Sequence, residues 1–135
     1  MRKPALVLGA SALALLLGTA LSAPVAQAAG QVPDKKVCDN KENPPQDAVT
    51  KGGCAVINRT KGNCMACHAI AGTSSGNIAP PLVGMKQRFP DKAKLRAQID
   101  DATKINPNSV MPPFGRHNIL SKDEVDQVVE FMLTL

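Results

Sequence analysis

The most regular pattern in the chain lies at its C-terminal end. Val125, Val128, Val129, Met132 and Leu133 recur at i, i+3, i+4, i+7 and i+8, the apolar stripe of a helix with one face buried. Ser121 and Glu124 precede the stripe at the S-x-x-E spacing, where each side chain caps the other residue's backbone N–H. A second stripe, Val49, Gly53, Val56 and Ile57, predicts a helix over 46–58. Gly52 and Gly53 weaken that helix by about 1 kcal/mol each relative to alanine, yet they leave room for another helix to cross closely. A third stripe, Leu95, Ile99 and Ala102, predicts a helix over 91–103, with Lys92, Lys94, Arg96, Asp100 and Asp101 on its exposed face. Residues 69–90 read as a long loop, and the polar, proline-rich stretch 29–45 as an arm on the surface. No stretch alternates with the period of a strand and no internal repeat is visible, so the expected class is all-α.

The N-terminus follows a different pattern. Arg2 and Lys3 precede an uncharged apolar run from Ala5 to Leu21, and Ala26-Gln27-Ala28 supplies the small-x-small site of a signal peptidase. The run is short for a membrane span of about 20 residues and no basic cluster follows it. A retained anchor is therefore the weaker reading. The expectation is a cleaved signal peptide over 1–28, an arm over 29–45, one domain over 46–135, and a bacterial periplasmic location with no membrane attachment after cleavage.

Losing Arg2 and Lys3 leaves 14 basic and 11 acidic residues, a net charge of +3. With no Tyr, no Trp and no run of five or more like charges, nucleic acid is a poor partner. The charges suit a solvated face that orients a protein partner. About a hundred residues bury only around two thirds of their surface. With just three aromatics, Phe89, Phe114 and Phe131, such a core points to a large apolar ligand in the middle of the domain.

The chemistry is concentrated in Cys64-Met65-Ala66-Cys67-His68. A zinc site needs four ligands, commonly as two close pairs, but Cys38 and Cys54 stand sixteen apart. A thioredoxin-type dithiol belongs beside a βαβ pattern, which is missing. C-x-x-C-H is the attachment motif of c-type haem. Its two thiols add across neighbouring vinyl groups, and the turn between them sets His68 under the iron. Gly62 and Asn63 allow a tight approach before the motif. The motif therefore predicts one covalent haem c, held by Cys64 and Cys67 with His68 as an axial ligand.

For the opposite face of the iron, Met1 leaves with the signal and Met65 lies inside the motif. Met132 falls on a core stripe, and Met85 has little chain with which to cross over. Met111 remains, between prolines that restrict its loop (Asn106 to Gly115). It is the expected sixth ligand, with His117 and Met85 as alternatives. A thioether there raises the reduction potential relative to a second histidine and closes the iron to small molecules. An open haem enzyme or gas sensor is the competing class. Cys38 and Cys54 read as a structural disulfide in an oxidising compartment, the alternative being a reactive thiol that carries sulfur.

The order helix, C-x-x-C-H, loop, helix, methionine loop and terminal helix resembles a class I cytochrome c, with three main helices around the haem. The resemblance implies that the first and last helices cross, with Gly53 or a neighbour at the crossing. It also implies that the carbonyl of Pro80, twelve residues after His68, holds the ligand ring. More narrowly, K-G-N-C-x-x-C-H at 61–68, Ile78-Ala79-Pro80-Pro81-Leu82-Val83-Gly84, Asn106-Pro107 and Met111-Pro112-Pro113-Phe114-Gly115 resemble the SoxX family over 46–135. Those proteins are monohaem subunits of the SoxAX complex of thiosulfate oxidation. The resemblance implies a SoxA-type partner, a SoxYZ-type carrier whose cysteine receives the thiosulfate, and a soluble electron acceptor. This chain would then take up electrons and supply no general acid, base or nucleophile. A free monohaem shuttle is the alternative. An obligate subunit predicts an apolar patch at the haem edge, a shuttle a charged ring.

Overall fold

The structure, a computed structural model, describes residues 30–70, 73 and 75–135. The expected signal peptide over 1–28 lies outside the described residues. Among the described residues five α-helices follow in order: α1 Lys35–Cys38, α2 Ala48–Ile57, α3 Met85–Arg88, α4 Lys92–Asp100 and α5 Lys122–Met132. Two 3-10 turns, Cys64–Ala66 and Ala102–Lys104, complete the set. Among the described residues no strand forms, and a lone parallel bridge joins His68 to Ala79. No helix among them is long and apolar enough to cross a membrane.

Four helices begin with the same device, a short polar side chain accepting an otherwise unpartnered N–H. Asp34 accepts from Lys36 N, Asp47 from Thr50 N and Asp91 from Ala93 N. At α5 both arms of the Ser121–Glu124 capping box are present, at 2.9 and 3.2 Å.

Helix α2 packs across α5 at Gly52. A Cβ there would lie 1.9 Å from the Gln127 carbonyl oxygen, so only glycine permits this approach. Gly53, its neighbour, instead faces the Pro33 ring and Phe131. Around the crossing Val56, Val125, Val128, Val129 and Phe131 are buried, each contributing on the order of 2 kcal/mol of apolar burial. Leu95 and Ile99 bring α4 into the same core. Across the surface, Lys92 of α4 pairs with Glu130 of α5, and Arg96 with Asp126 at 2.6 Å.

Three boundaries differ from those the pattern predicts. The arm is not wholly irregular: Asp34 caps the single turn of α1, which carries Cys38 to Cys54. The two cysteines form a disulfide with their Cα atoms 5.4 Å apart, pinning the arm to α2 with about 3 kcal/mol in the chain-entropy model. The loop 69–90 ends in the short helix α3, whose Met85 packs into the core. Finally, the helix expected over 91–103 stops at Asp100. Asp101 is extended and has no exposed surface, although its spacing puts it on the solvent face. Its carboxylate accepts from the Thr103 N–H and hydroxyl and from Arg116. These donors offset the desolvation of a buried charge, and forming them requires the helix to end.

Candidate functional site

Cys64, Met65 and Ala66 form the 3-10 turn that follows α2. Asn63 enters it at φ +45°, a left-handed conformation that asparagine tolerates better than most residues. Gly62 sits against α2, where a Cβ would lie 2.5 Å from the Ala55 oxygen. The Cys67 and His68 N–H groups both return to the Cys64 carbonyl, at 3.2 and 2.9 Å. The turn is thereby closed, and both thiols and the imidazole stand on the wall of one cleft.

Three backbone rungs hold the next segment alongside the motif. Gly76 N donates to Met65 O at 2.8 Å, Ala79 N to Cys67 O at 3.0 Å, and Leu82 N to Ala69 O at 2.8 Å. Gly76 must be glycine, since a Cβ would fall 2.2 Å from the Ala66 oxygen. This register sets Pro80 O 2.7 Å from His68 Nδ1. A carbonyl has no proton to give, so Nδ1 carries the hydrogen, and in the neutral ring Nε2 is then the nitrogen left to bind a metal, as a ligand histidine requires. Arg88, in α3, supports the same loop from outside. Its guanidinium donates to Pro81 O at 2.7 Å and lies 3.4 Å from Met85 Sδ.

The cleft has a volume of about 740 Å³, within the range of sites for large ligands. Leu82, Leu95, Ile99, Phe114, Leu120 and Met132 form much of its interior. Met111 also lines it, with the Gln98 amide 3.9 Å from its sulfur. Of the other candidate ligands, Met85 and Met132 line the cleft and are buried in the core, whereas His117 is exposed and does not line it. Neither Gln98 nor Arg88 stood out in the sequence. A polar residue on a short amphipathic helix has no distinguishing signal until the loop carrying Met111 folds over it.

The environment of Cys64 runs against a redox dithiol of the activated kind. Burial pushes the Cys64 thiol up to about 11, whereas reactive pairs hold a thiol well below its usual value. A zinc site that draws on all four cysteines is also ruled out, because Cys38 and Cys54 are bonded to each other.

The model of the family described as cytochrome c oxidase, cbb3-type, subunit III, matches residues 49–132. The chain belongs to that family. A curated relative from Stutzerimonas stutzeri (strain A1501), a thiosulfate dehydrogenase electron acceptor, is 37% identical over 68 residues, half of this chain. The match spans only 30% of that relative's length. The crystal structure of SoxXA from P. pantotrophus matches with a TM-score of 0.57 and 27% identity, over 63% of this chain and 79% of that one. This cytochrome is thus SoxX-like, an electron-transfer c-type cytochrome with the class I fold the sequence predicts. A cytochrome c domain implies haem c, and the donor set fits it: two thiols three residues apart, an imidazole with a free Nε2 and a thioether share one apolar cleft.

Proposed function

We propose that this cytochrome is the electron-accepting haem subunit of an exported, periplasmic SoxAX-type complex. In that role Cys64 and Cys67 would hold one haem through thioethers, and His68 Nε2 and Met111 Sδ would ligate its iron. When bound, haem c supplies reversible one-electron redox chemistry. The protein contributes three things. The Pro80 carbonyl keeps the imidazole oriented and basic. Met111, as a ligand, would favour the reduced state and deny the iron to small molecules. The apolar wall excludes water.

The observation that carries the partner assignment is at the cleft mouth. Ile78 is 76% and Val110 92% exposed, and both line the cleft. Large apolar side chains left this open at a redox site suit the apolar centre of a permanent interface. The three cations among the lining residues make an incomplete charged ring. Lys61 pairs with Glu124, and Arg88 is bonded to loop carbonyls, which among the described residues leaves Arg59. A SoxA-type cytochrome is the partner that best suits this surface.

In the complex, the thiol of a SoxYZ-type carrier joins the terminal sulfur of thiosulfate. One sulfur–sulfur bond forms, the thiol proton goes to solvent, and two electrons leave. Each bond therefore requires two single-electron transfers, passed on to a soluble acceptor. No residue of this chain acts as acid, base or nucleophile.

The test is co-purification from the native host, followed by the absorbance of the reduced haem on adding thiosulfate and carrier. Recovery with a larger haem protein, and thiosulfate-dependent reduction, are expected. Ile78→Asp with Val110→Asp should abolish co-purification while leaving the isolated spectrum unchanged. Recovery of a lone monomer indifferent to thiosulfate would instead identify a free shuttle.

A further inference from the structure

The loop that carries Met111 leaves α4 at Asp101 and returns at Arg116. Two backbone bonds close its base: the Gly115 and Arg116 N–H groups both donate to Asp100 O, at 3.1 and 3.2 Å. A Cβ on Gly115 would lie 2.1 Å from Asp100 Oδ1, so the two chain segments touch. Asp101, with no exposed surface, accepts from Thr103 on the outgoing side and from Arg116 Nη1, at 3.1 Å, on the returning side. Arg116 Nη1 is also 3.4 Å from the Thr103 hydroxyl.

Beyond this base, the backbone hydrogen bonds of the loop are local, and the Gln98 amide lies 3.9 Å from the Met111 sulfur. Asn106 N returns to Ala102 O and Ser109 N to Asn106 O. Asn108 N donates to the Asn106 side chain and Met111 N to the Ser109 hydroxyl. Among the described residues no backbone bond ties 105–112 to the opposite wall of the cleft. The backbone that carries Met111 is therefore placed chiefly by where the loop starts and ends.

We infer that Asp101, bridged to Arg116 and Thr103, is a clamp that positions the Met111 thioether over the cleft. The inference rests on Met111 being the axial ligand. Fixing the ends of a flexible loop removes conformations in which its tip lies elsewhere, and a buried carboxylate with a full set of donors has no cheap alternative arrangement. Arg116 is the half of the clamp that reaches solvent, so it can be altered without leaving a cavity.

Wild type, Arg116→Gln, Arg116→Lys and Met111→Ala are compared as purified holoproteins. The ferric spectrum reports the Fe–S(Met) charge-transfer band, and imidazole titration reports how readily the loop yields the iron. Arg116→Gln should bind imidazole about tenfold more tightly, equivalent to about 1.4 kcal/mol of loop opening, with a weaker band at neutral pH. Arg116→Lys, which keeps the charge, should recover most of the difference. Met111→Ala should abolish the band. Loss of the band in Met111→Ala with unchanged imidazole affinity in Arg116→Gln would overturn the clamp alone. A band that survives Met111→Ala would overturn the ligand assignment and the clamp with it. Asp101→Asn adds a second measurement: hydrogen exchange at the Ser109 and Met111 amides should accelerate more than at Val128 and Val129. Equal acceleration everywhere would make Asp101 a residue of global stability only.

Discussion

The two walls of the cleft are built on different principles. On the histidine side, residues 76–82 are zipped to 65–69 by three backbone rungs, and the Pro80 carbonyl meets His68 directly. On the methionine side, among the described residues, 105–112 make only local backbone bonds and are gathered at their base by Asp100, Asp101 and Arg116, with the long Gln98 contact to the Met111 sulfur beside them. One wall holds its ligand along the whole segment, the other at the ends of a loop. In the proposed site, a ligand fixed by backbone rungs thus faces a displaceable one. The iron should open on the methionine side whenever it opens, and perturbations should divide accordingly.

The largest effect should come from the anchored wall. Replacing Cys64 and Cys67 together by alanine should leave no covalent pigment, so that acidified acetone extracts all colour from the protein. Pigment retained after that extraction would refute the attachment site. Gly76→Ala should come next. Its Cβ must displace the backbone of the motif itself, and a loss of at least ~2 kcal/mol in urea unfolding is expected. If that variant is as stable as wild type, the rungs contribute little and the contrast between the walls fails.

A smaller and reversible effect is expected from acid. The Thr103 hydroxyl and N–H, together with the Arg116 guanidinium, hold the Asp101 carboxyl below its usual value. A carboxyl depressed in the folded state stabilises the fold above its unfolded value of about 3.9. That contribution is lost as pH falls below this point toward the folded-state value. The charged groups near Asp101 are Arg116 and the neighbouring Asp100–Lys104 pair. Stability and the Fe–S(Met) band should hold steady between pH 7 and 5 and fall together below about pH 4. Asp47, held low by the Thr50 N–H, adds to the loss of stability in the same window, as does Glu124. At Glu124 desolvation pushes upward but is outweighed by Lys61 and the Ser121 N–H. An NMR titration of the Asp101 carboxyl with a midpoint at or above the ordinary range would remove the explanation.

The smallest effect separates ligand tuning from loop position. Gln98→Leu removes the amide 3.9 Å from the Met111 sulfur without touching the clamp. A hydrogen bond of about 1 kcal/mol corresponds to about 40 mV for one electron, and this long contact should give less. The potential should fall by no more than that, with imidazole affinity unchanged. A larger fall, or a change in imidazole binding, would show that Gln98 also holds the loop.

Much of this was legible in the chain. The α5 stripe and its capping box lie in consecutive residues, and the structure reproduces both. The C-x-x-C-H turn is equally local, since five neighbouring residues carry the donors. The crossing point was nearly legible: two adjacent glycines marked it, and packing against Gln127 selected Gly52 for the backbone contact. Asp101 was misplaced for a physical reason. Helical spacing assigns a face only while the helix continues, and the donors that end this helix come from Thr103 and from Arg116, fifteen residues on.

The sequence by itself determined what short-range chemistry can determine. It specified which residues could hold an iron porphyrin, which segments coil, and which side chains cap them, because those interactions span only a few residues. Tertiary structure alone decided which carboxylate is buried beneath the methionine loop and which apolar side chains stand open at the cleft mouth. Those outcomes depend on contacts between segments distant along the chain, and no local pattern encodes the donors that a folded neighbour will bring.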